Sequence, residues 1–418
     1  MCPSIRRPRS HIEGETGGGI HLWPVLFLLA FWAHEVAPAL FSGRIPTDFL
    51  SFYTAAAMFS QGDIYDPHTL RQAPQVTHLS QHIFPYLYPP PLAFYLQPLA
   101  HLPLFWAARV WTLLNGLALI LLILLVYKLL DTRTPPSTRW IWTLALLYIL
   151  PFANNIHMGQ ANIWVLLALT WAFYAWHRGA EGWGGVGVGI AAVLKLMPGV
   201  LLLYLLVERR WKAILGATVG AMAFSFPTFF GAGRAQWGHF IHFLGKGGYA
   251  QGVAGLFGPA AWPNFSLAGL WSRVLGETPA AARATWISVL LLLIVLLAAH
   301  GRSRGRKRQA FWWLAYLTWM IISAPYAYVH HVVYLYPAAV RVLAEGPTTS
   351  RWEHWGLPVA ALTLASMDWP AYYRFLPLIP RWPSLLANLN LYALLVLFFW
   401  ALYKGSRRVV LEPQGTGL

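Results

Sequence analysis

Residues 183–212 read WGGVGVGIAAVLKLMPGVLLLYLLVERRWK, and they decide how the rest of the chain is arranged. The apolar part, 183–207, is long enough to cross a bilayer once, because about 20 apolar residues span the hydrocarbon core. The segment KLMP, residues 195–198, interrupts it with a lysine and a proline. Pro198 lacks a backbone donor, so a continuous helix is not expected there. The segment is therefore either one crossing or a hairpin that enters and returns.

The composition indicates a polytopic helical membrane protein. Of the 418 residues, 57% are hydrophobic and 11% are charged, against roughly 25% charged in an average soluble domain. We predict an all-α membrane domain over residues 20–404 with about ten to twelve membrane segments, flanked by tails at 1–19 and 405–418. The candidate spans lie near residues 20–40, 104–127, 140–153, 160–177, 212–230, 283–300, 310–324, 330–345, 355–368 and 386–403.

The net charge of +16 reflects topology rather than a nucleic-acid partner. Most Lys and Arg residues lie in short loops beside apolar segments, the pattern that marks cytoplasmic loops. We therefore expect the lipid bilayer to be a partner of this protein, and we expect no nucleic-acid partner. Cys2 is the only cysteine, so no disulfide within the chain is possible.

The same charges choose between the two topologies of 183–207. A single crossing would place the basic loop at 302–308 outside the cell, whereas a hairpin keeps it inside together with both termini. The hairpin leaves about twenty of the 30 Lys and Arg residues inside. We therefore predict a re-entrant hairpin that breaks at KLMP, with glycines 184–189 allowing close packing.

This topology gathers the long polar connections on the non-cytoplasmic side. They are the first outer loop at 41–103, the second at 231–282, and shorter stretches at 154–162, 325–331 and 368–385. Long loops in compact proteins are usually functional. We expect a site on the outer side of a bacterial inner membrane.

Asp48 stands out in the first outer loop. The stretch PTDFLSFYTAAA, residues 46–57, predicts an interfacial helix that Thr47 caps and that Asp48 begins. Beside an apolar wall, a carboxylate loses solvent, so its pKa rises and suits general-base work. Asp48 is equally a charge that stabilises the helix N-terminus. Glu35, near the outer end of the first span, is the rival base.

The rest of this loop contains two further signals. Asp66 followed by Pro67 predicts a second helix start. The stretch FPYLYPPPLAFYLQPLAHLP, residues 84–103, predicts an extended run held by prolines.

Several other polar residues are candidates for a binding site. Lys195 is a cation inside the membrane. We expect it to bind a donor phosphate, to pair with an acid, or to extend its ammonium group to the interface. Gln160 and Asn162 in MGQAN donate to a sugar or hold helices together. His330 and His331 contact a phosphate or a sugar hydroxyl, or are satisfied by backbone groups.

The remaining candidates lie in the outer loops. Arg44 binds phosphate or anchors the interface, and Tyr53 and Tyr88 stack on sugars or belong to the aromatic belt. Asn264 in NFS caps a helix, anchors a loop or lines an acceptor cavity.

Six stretches in a fixed order resemble glycosyltransferase family 87, the polyprenol-phosphate-mannose-dependent alpha-mannosyltransferases of the GT-C superfamily. The resemblance covers roughly residues 20–345. The stretches are PTDFLSFYTAAAMFSQGDIYD (46–66), YLYPPPLAFYLQPLAHLP (86–103), MGQANIWVLLAL (158–169), GVGIAAVLKLMPGVLLLYLLVERRWKA (187–213), NFSLAGLWSRVL (264–275) and SAPYAYVHHVVYLYPA (323–338).

The resemblance implies a GT-C helical bundle whose first outer loop carries a catalytic aspartate, matched here by Asp48. It implies a polyprenyl-phosphate mannose donor, a glycolipid or glycan acceptor, and transfer with inversion. Where the family often has an acid before the paired histidines, this chain has Val329. This difference leaves the donor sugar open.

The residues themselves agree with a lipid donor. No Rossmann-like or P-loop signature is present to bind a nucleotide, and no carboxylate cluster suits a divalent metal, so we expect neither a metal nor another cofactor. Two alternatives remain: a GT-C enzyme that transfers arabinose or glucose, and a lipid-linked-sugar flippase or transporter. Polar residues concentrate in outer loops and no strong internal repeat is evident, which favours an enzyme.

Overall fold

The computed structural model describes residues 22–74, 76–77, 83–130, 134–247, 258–304, 308–344, 355–368 and 388–407. The predicted tail at 1–19, residues 408–418 of the other tail, and parts of the stretches at 231–282, 302–308 and 368–385 lie outside the described residues. Within the described part, the chain is helical with connecting turns and contains no strand. This agrees with the all-α prediction.

The helices of the first half are interrupted by a π-helical turn at Trp32–Val36 and a 3-10 turn at Met197–Val200. They are α1 (Leu22–Phe31), α2 (Ala37–Phe41), α3 (Thr47–Met58), α4 (Pro67–Arg71), α5 (Pro90–Ala100), α6 (Leu104–Leu129), α7 (Pro136–Ile149), α8 (Phe152–Met158), α9 (Asn162–His177), α10 (Glu181–Leu194) and α11 (Leu201–Val207).

The second half adds 3-10 turns at Phe226–Phe229 and Val329–Leu335. Its helices are α12 (Trp211–Ser225), α13 (Ala232–Gly245), α14 (Leu267–Leu275), α15 (Pro279–Arg302), α16 (Gln309–Ser323), α17 (Tyr336–Ala344), α18 (Gly356–Ser366) and α19 (Leu389–Ser406).

Four helical segments of the described chain are long and apolar enough to cross a membrane: Leu22–Phe41, α6, α15 and α19. Two bent pairs raise the number to six if each pair is one span: α7 with α8, bent by 50°, and Trp211–Phe229 with α13, bent by 117°. The chain is thus a polytopic membrane protein by length and composition of its helices. A total of ten to twelve segments stays a prediction.

The predicted span at 330–345 has a different form. It begins as the 3-10 turn Val329–Leu335 and continues as the nine-residue α17. Both pieces are buried in the protein, so this segment belongs to the core of the bundle.

The segment 183–207 breaks where the sequence predicts. Helix α10 ends at Leu194, Lys195 is extended, and a 3-10 turn with Pro198 leads into α11. Trp176, at the end of α9, donates from its indole nitrogen to the Glu181 carbonyl at 3.0 Å, and its ring stacks on Tyr204 in α11 at 5.9 Å. Both ends of the segment therefore lie beside Trp176, and the chain reverses near Lys195. Its insertion into a membrane stays a prediction.

Glycines bring α10 and α12 into backbone contact. A Cβ atom at Gly185 would overlap the carbonyl of Ala213, and one at Gly189 would overlap the carbonyl of Ala217. Gly189 lies four residues after Gly185 in α10, and its contact Ala217 lies four residues after Ala213 in α12. The two helices therefore run in the same direction. The return arm α11 lies between them in sequence, as a reversal requires.

The first outer loop corrects two local predictions. Thr47 does not cap α3: the helix already includes it, Pro46 is the N-cap without a side-chain bond, and the Pro46 carbonyl accepts from Leu50 N at 3.1 Å. The proline run is extended only before residue 90. Pro90 and Pro91 occupy the first turn of α5, where a missing N–H has no cost.

Other features of this loop agree with the sequence. Asp66 caps α4 by accepting from His68 N at 3.1 Å and Thr69 N at 3.3 Å. Helix α3 exists as predicted, but most of its residues are buried in the protein, including Phe49 and Phe52. Its first turn faces the α8–α9 turn, the end of α10 and the 3-10 turn at Val329–Leu335.

Candidate active site

A glycine brings the start of α3 close to the turn between α8 and α9. Gly159 ends α8 in the left-handed conformation, with φ of 69°, which glycine adopts without steric cost. A Cβ there would lie 2.8 Å from the Cβ atoms of Pro46 and Phe49. Any larger residue would push the turn away. Gly159 therefore lets Gln160, the next residue, reach Asp48.

Asp48, Gln160 and Tyr88 form one hydrogen-bonded chain. Gln160 Nε2 donates to Asp48 Oδ2, and the Tyr88 hydroxyl donates to Gln160 Oε1 at 2.8 Å. Gln160 and Tyr88 are buried, whereas Asp48 is half-buried at the edge of the group. No described residue donates to Asp48 Oδ1, so one carboxylate oxygen is left for a ligand.

Lys195 continues this chain from the break between α10 and α11. Its Nζ donates to Asn162 Oδ1 at 2.9 Å and to the Tyr88 hydroxyl at 3.4 Å. It also lies 3.0 Å from His331 Nε2. The amino group is thus held inside the protein rather than extended to an interface, and two neutral groups, Tyr88 and Gln160, separate it from Asp48.

Two asparagines hold this arrangement in place. Asn162 Nδ2 donates to Asn155 Oδ1 at 2.8 Å, and Asn155 Nδ2 donates to the His330 carbonyl at 3.0 Å. Asn162 Oδ1 accepts from the Tyr334 hydroxyl at 2.6 Å as well as from Lys195. Both polar atoms of the Asn162 carboxamide are engaged, so its role is to position Lys195 and the 3-10 turn.

The two histidines of that 3-10 turn make different contacts. His331 Nδ1 accepts from the Tyr328 backbone N–H at 3.1 Å, which directs Nε2 to Lys195. His330 offers its backbone carbonyl to Asn155 and Asn162, and its ring lies 4.4 Å from that of His331. Both side chains are buried. His331 is the histidine that contacts the lysine.

The protein environment makes Asp48 a stronger base than a free aspartate. Burial raises the pKa of Asp48 to about 6, while the Gln160 hydrogen bond and the Lys195 charge act in the opposite direction. Desolvation has the largest effect on this pKa because the Asp48 carboxylate is enclosed on most sides and Lys195 is not in contact with it. A general base works best with a pKa near the working pH.

Three predicted site residues lie elsewhere. Tyr53 is buried and donates to the Leu102 carbonyl at 2.8 Å, so its hydroxyl secures the end of the loop. Arg44 is exposed, and its backbone carbonyl accepts from Arg109 at 3.5 Å. Neither side chain contacts the Asp48–Lys195 group.

Asn264 joins two outer loops. Its Nδ2 donates to the carbonyls of Pro259, at 3.0 Å, and Pro325, at 3.1 Å. Its Oδ1 accepts from Ser266 N and Ala327 N, at 3.2 and 2.9 Å. These bonds use both ends of the carboxamide, as in the loop-anchor alternative.

The rival base, Glu35, belongs to a separate group on the π-helical turn. Its carboxylate lies 2.8 Å from His34 Nδ1 and 3.5 Å from His157 Nε2. These contacts connect it to the end of α8 and not to Gln160 or Lys195. Asp48 is therefore the carboxylate that the Lys195 chain reaches.

Within the described ranges, no three His, Cys, Asp or Glu side chains are grouped to hold a metal ion. The expectation that the protein needs neither a metal nor another cofactor stays a prediction.

An apolar cavity of about 730 Å³ opens beside the site between α5, α6, α9, α10 and α12. Leu194 lines it and immediately precedes Lys195, and Leu92 lines it four residues after Tyr88. Apolar walls that end beside a cation suit an amphiphile with an anionic head. Other lining residues are Trp111, Trp164, Trp171, Ile190 and Phe224.

The sequence did not reveal three residues that complete the site: Gly159, Asn155 and Tyr334. Gly159 is part of MGQAN, but only its left-handed φ and its contact with α3 show why glycine is needed. Asn155 precedes Asn162 by seven residues, a spacing that would place both on one face of a continuous helix. The chain instead makes a turn between α8 and α9, so the pattern could not be recognised in advance.

Comparison with known proteins identifies a family. The sequence profile described as glycosyltransferase family 87 matches residues 86–325. That range contains Tyr88, Gln160, Asn162 and Lys195 and leaves out Asp48 and the two histidines. No solved structure matches the chain.

Curated relatives are similar over most of the chain. A polyprenol-phosphate-mannose-dependent alpha-(1-2)-phosphatidylinositol pentamannoside mannosyltransferase of Mycolicibacterium smegmatis is 26% identical, over 75% of this chain and 73% of the relative. A polyprenol-phosphate-mannose-dependent alpha-(1-2)-phosphatidylinositol mannoside mannosyltransferase of Mycobacterium tuberculosis is 27% identical, over 83% and 81%. An alpha-(1->3)-arabinofuranosyltransferase of Corynebacterium glutamicum is 25% identical, over 91% and 86%.

The profile covers more than half of the chain. The chain belongs to glycosyltransferase family 87.

Proposed function

We propose that the protein moves a mannosyl unit, or another hexosyl unit, from a polyprenyl-phosphate sugar to a hydroxyl of a glycolipid or glycan acceptor. The observation that carries this proposal is the chain from Asp48 through Gln160 and Tyr88 to Lys195. It offers a base at one end and a cation at the other, with neutral hydrogen-bonding groups between them. This is the charge pattern that displacement of a phosphate by a hydroxyl requires.

In this mechanism the acceptor O–H donates to Asp48, which takes the proton as the oxygen attacks the anomeric carbon. The new C–O bond forms while the bond between that carbon and the phosphate oxygen breaks, and the configuration inverts. The electron pair leaves with the lipid phosphate. Lys195 and His331 would stabilise the negative charge on this leaving group.

The apolar cavity supports a lipid donor. Its walls extend from Leu194 and Leu92, beside the polar chain, along α10 and α9. A polyprenyl tail comes from the bilayer and not from water, so packing against these apolar walls would hold it there. The names of two relatives state dependence on polyprenol-phosphate-mannose, which supports mannose as the first candidate.

A second candidate sugar is arabinose. The arabinofuranosyltransferase of Corynebacterium glutamicum matches 91% of this chain, more than the mannosyltransferase of M. smegmatis does. The same base and leaving group serve either sugar. We therefore propose that both donors are offered in parallel assays, with mannosyl transfer expected to be the faster.

We further propose that the reaction takes place on the outer side of the inner membrane, with both termini in the cytoplasm. The positive-inside distribution of Lys and Arg supports this orientation. In this orientation the first outer loop, with Asp48, would lie on the side away from the cytoplasm, which agrees with a lipid-linked donor.

The test uses purified full-length protein with labelled mannosyl phosphopolyprenol and a membrane lipid extract. We expect release of polyprenyl phosphate and a labelled, larger acceptor. Asp48→Asn removes the base but keeps a hydrogen-bonding group of the same size, so we expect a loss of at least about a hundredfold. Glu35→Gln is the control and should retain activity.

Full activity of Asp48→Asn, with the fold preserved, would overturn the assignment of the base. A protein that translocates the intact donor without releasing polyprenyl phosphate would be a flippase instead. Reconstitution in vesicles separates these outcomes, because a flippase moves label across the bilayer without changing its chemistry.

A further inference from the structure

The hydroxyl of Tyr328 is a buried polar group without a partner. Its oxygen is shielded from solvent, and no described residue hydrogen-bonds to it. The backbone of the same residue is fully engaged: its N–H donates to His331 Nδ1 at 3.1 Å, and its carbonyl accepts from His331 N at 2.8 Å. A buried hydroxyl without a hydrogen bond destabilises a fold. The tyrosine therefore needs an explanation that a phenylalanine would not.

Tyr328 shares the enclosed region of the proposed site. Its ring centroid lies 5.6 Å from that of His330 and 6.1 Å from that of His331, and His331 contacts Lys195. The Asp48 carboxylate also lies close enough to disfavour ionisation of the Tyr328 phenol. Burial raises the pKa of Tyr328, and the neighbouring charges of Tyr326 and Asp48 add to this effect. The phenol stays protonated at neutral pH and is a hydrogen-bond donor.

We propose that the Tyr328 hydroxyl donates a hydrogen bond to a phosphate oxygen of the polyprenyl-phosphate group, both in the donor and in the product. This rests on the proposed function and gives a role to a residue that the sequence analysis did not single out. A phosphate oxygen is favoured over a sugar hydroxyl for two reasons. The turn that holds Tyr328 also holds His331 against the Lys195 cation, and a neutral donor gains most from a charged acceptor.

The test is Tyr328→Phe, which removes one oxygen and keeps the ring. The probe is undecaprenyl phosphate, titrated into the purified full-length protein in detergent. We expect its Kd to rise roughly tenfold to a hundredfold, the effect of one hydrogen bond to a charged group. We expect the thermal unfolding midpoint of the empty protein to stay unchanged or to rise, since an unpaired buried hydroxyl has been removed.

Tyr336→Phe is the matched control. The Tyr336 hydroxyl is buried and donates to the Thr143 carbonyl at 2.7 Å, so its loss should lower the unfolding midpoint and leave the Kd unchanged. Tyr328→Phe is thus expected to weaken binding without lowering stability, and Tyr336→Phe to lower stability without weakening binding. A structural role for Tyr328 would make it behave like Tyr336.

Two results would overturn the inference. The first is a lower unfolding midpoint for Tyr328→Phe, because the hydroxyl would then have a partner in the empty protein. The second is an unchanged Kd for undecaprenyl phosphate, including the case where only the mannosyl ester binds more weakly, which would assign the contact to the sugar. Failure of the unaltered protein to bind either lipid would instead reject the proposed function itself.

Discussion

At the scale of single residues, the separation of the two charges is the central feature. Asp48 and Lys195 are not in contact, and Gln160 and Tyr88 join them. A direct buried ion pair would hold the carboxylate in its charged form and weaken it as a base. The inserted amide and phenol keep the base and the cation in one site without neutralising either.

The pKa of Asp48, about 6, predicts the acid side of the pH profile. The base must be ionised, so kcat/KM should fall tenfold per pH unit below about pH 6 and be flat above it. The measurement is initial rate against pH with subsaturating donor. Asp66→Asn is the control, since Asn also caps a helix, and it should leave the profile unchanged. An acid limb near pH 4 would contradict a desolvated Asp48.

The same group affects stability with a defined sign. The folded protein binds the Asp48 proton more tightly than the unfolded chain, where the pKa is near 3.9. The stabilisation is therefore present below about pH 4 and is lost as pH rises to about 6. Asp48→Asn should remove this dependence, seen as a smaller fall of the unfolding midpoint between these pH values than in the unaltered protein.

At the scale of elements, the reversal at Lys195 depends on how closely α10 approaches α12. A helix pair in backbone contact gives α10 a fixed position, and α10 carries Lys195 at its end. The glycine run was correctly read as a close-packing surface. The helix that packs against it, α12, was not predicted, because sequence periodicity does not tell which helix lies opposite.

Gly189→Ala tests this contact. The added methyl group would overlap the Ala217 carbonyl and the Ala221 amide, so we expect the fold to lose about 1–3 kcal/mol, as in other overpacked cores. The measurement is the thermal unfolding midpoint in detergent. Gly238→Ala in α13 is the matched control: nothing lies within 4 Å of its added methyl group, and alanine favours a helix, so stability should rise slightly. An unchanged midpoint for Gly189→Ala would contradict the close packing.

At the scale of the whole molecule, the reversal of 183–207 fixes the side on which every later loop lies. If the chain returns to the cytoplasm after α11, the loop after α15 is cytoplasmic. The described helices agree with a polytopic bundle but include only four to six spans by length and composition. The orientation is therefore tested by chemistry rather than by counting helices.

A cysteine placed at each side provides this test. In a Cys2→Ser background, Ser60→Cys in the outer loop should react with an impermeant thiol reagent in intact cells, and Arg304→Cys should not. Both positions are exposed on the protein, so both should react after the membrane is opened. Labelling of Arg304→Cys in intact cells would contradict the hairpin topology.

The sequence by itself determined the class of the protein and most residues of its candidate site. Hydrophobic composition favours a membrane bundle because the chain has several apolar runs long enough to span a bilayer. The six motifs named Asp48, Gln160, Asn162, Lys195 and His331 because polar side chains among apolar runs are conspicuous.

The tertiary structure decided which of these residues meet. It joined Asp48 to Lys195 through Tyr88 and Gln160, left Arg44, Tyr53 and Asn264 in other roles, and added Gly159, Asn155 and Tyr334. Those distinctions depend on a left-handed turn, a helix pair in backbone contact and a 3-10 turn. Each brings together residues far apart along the chain, and such contacts are set by the packing of whole helices, which local sequence patterns do not record.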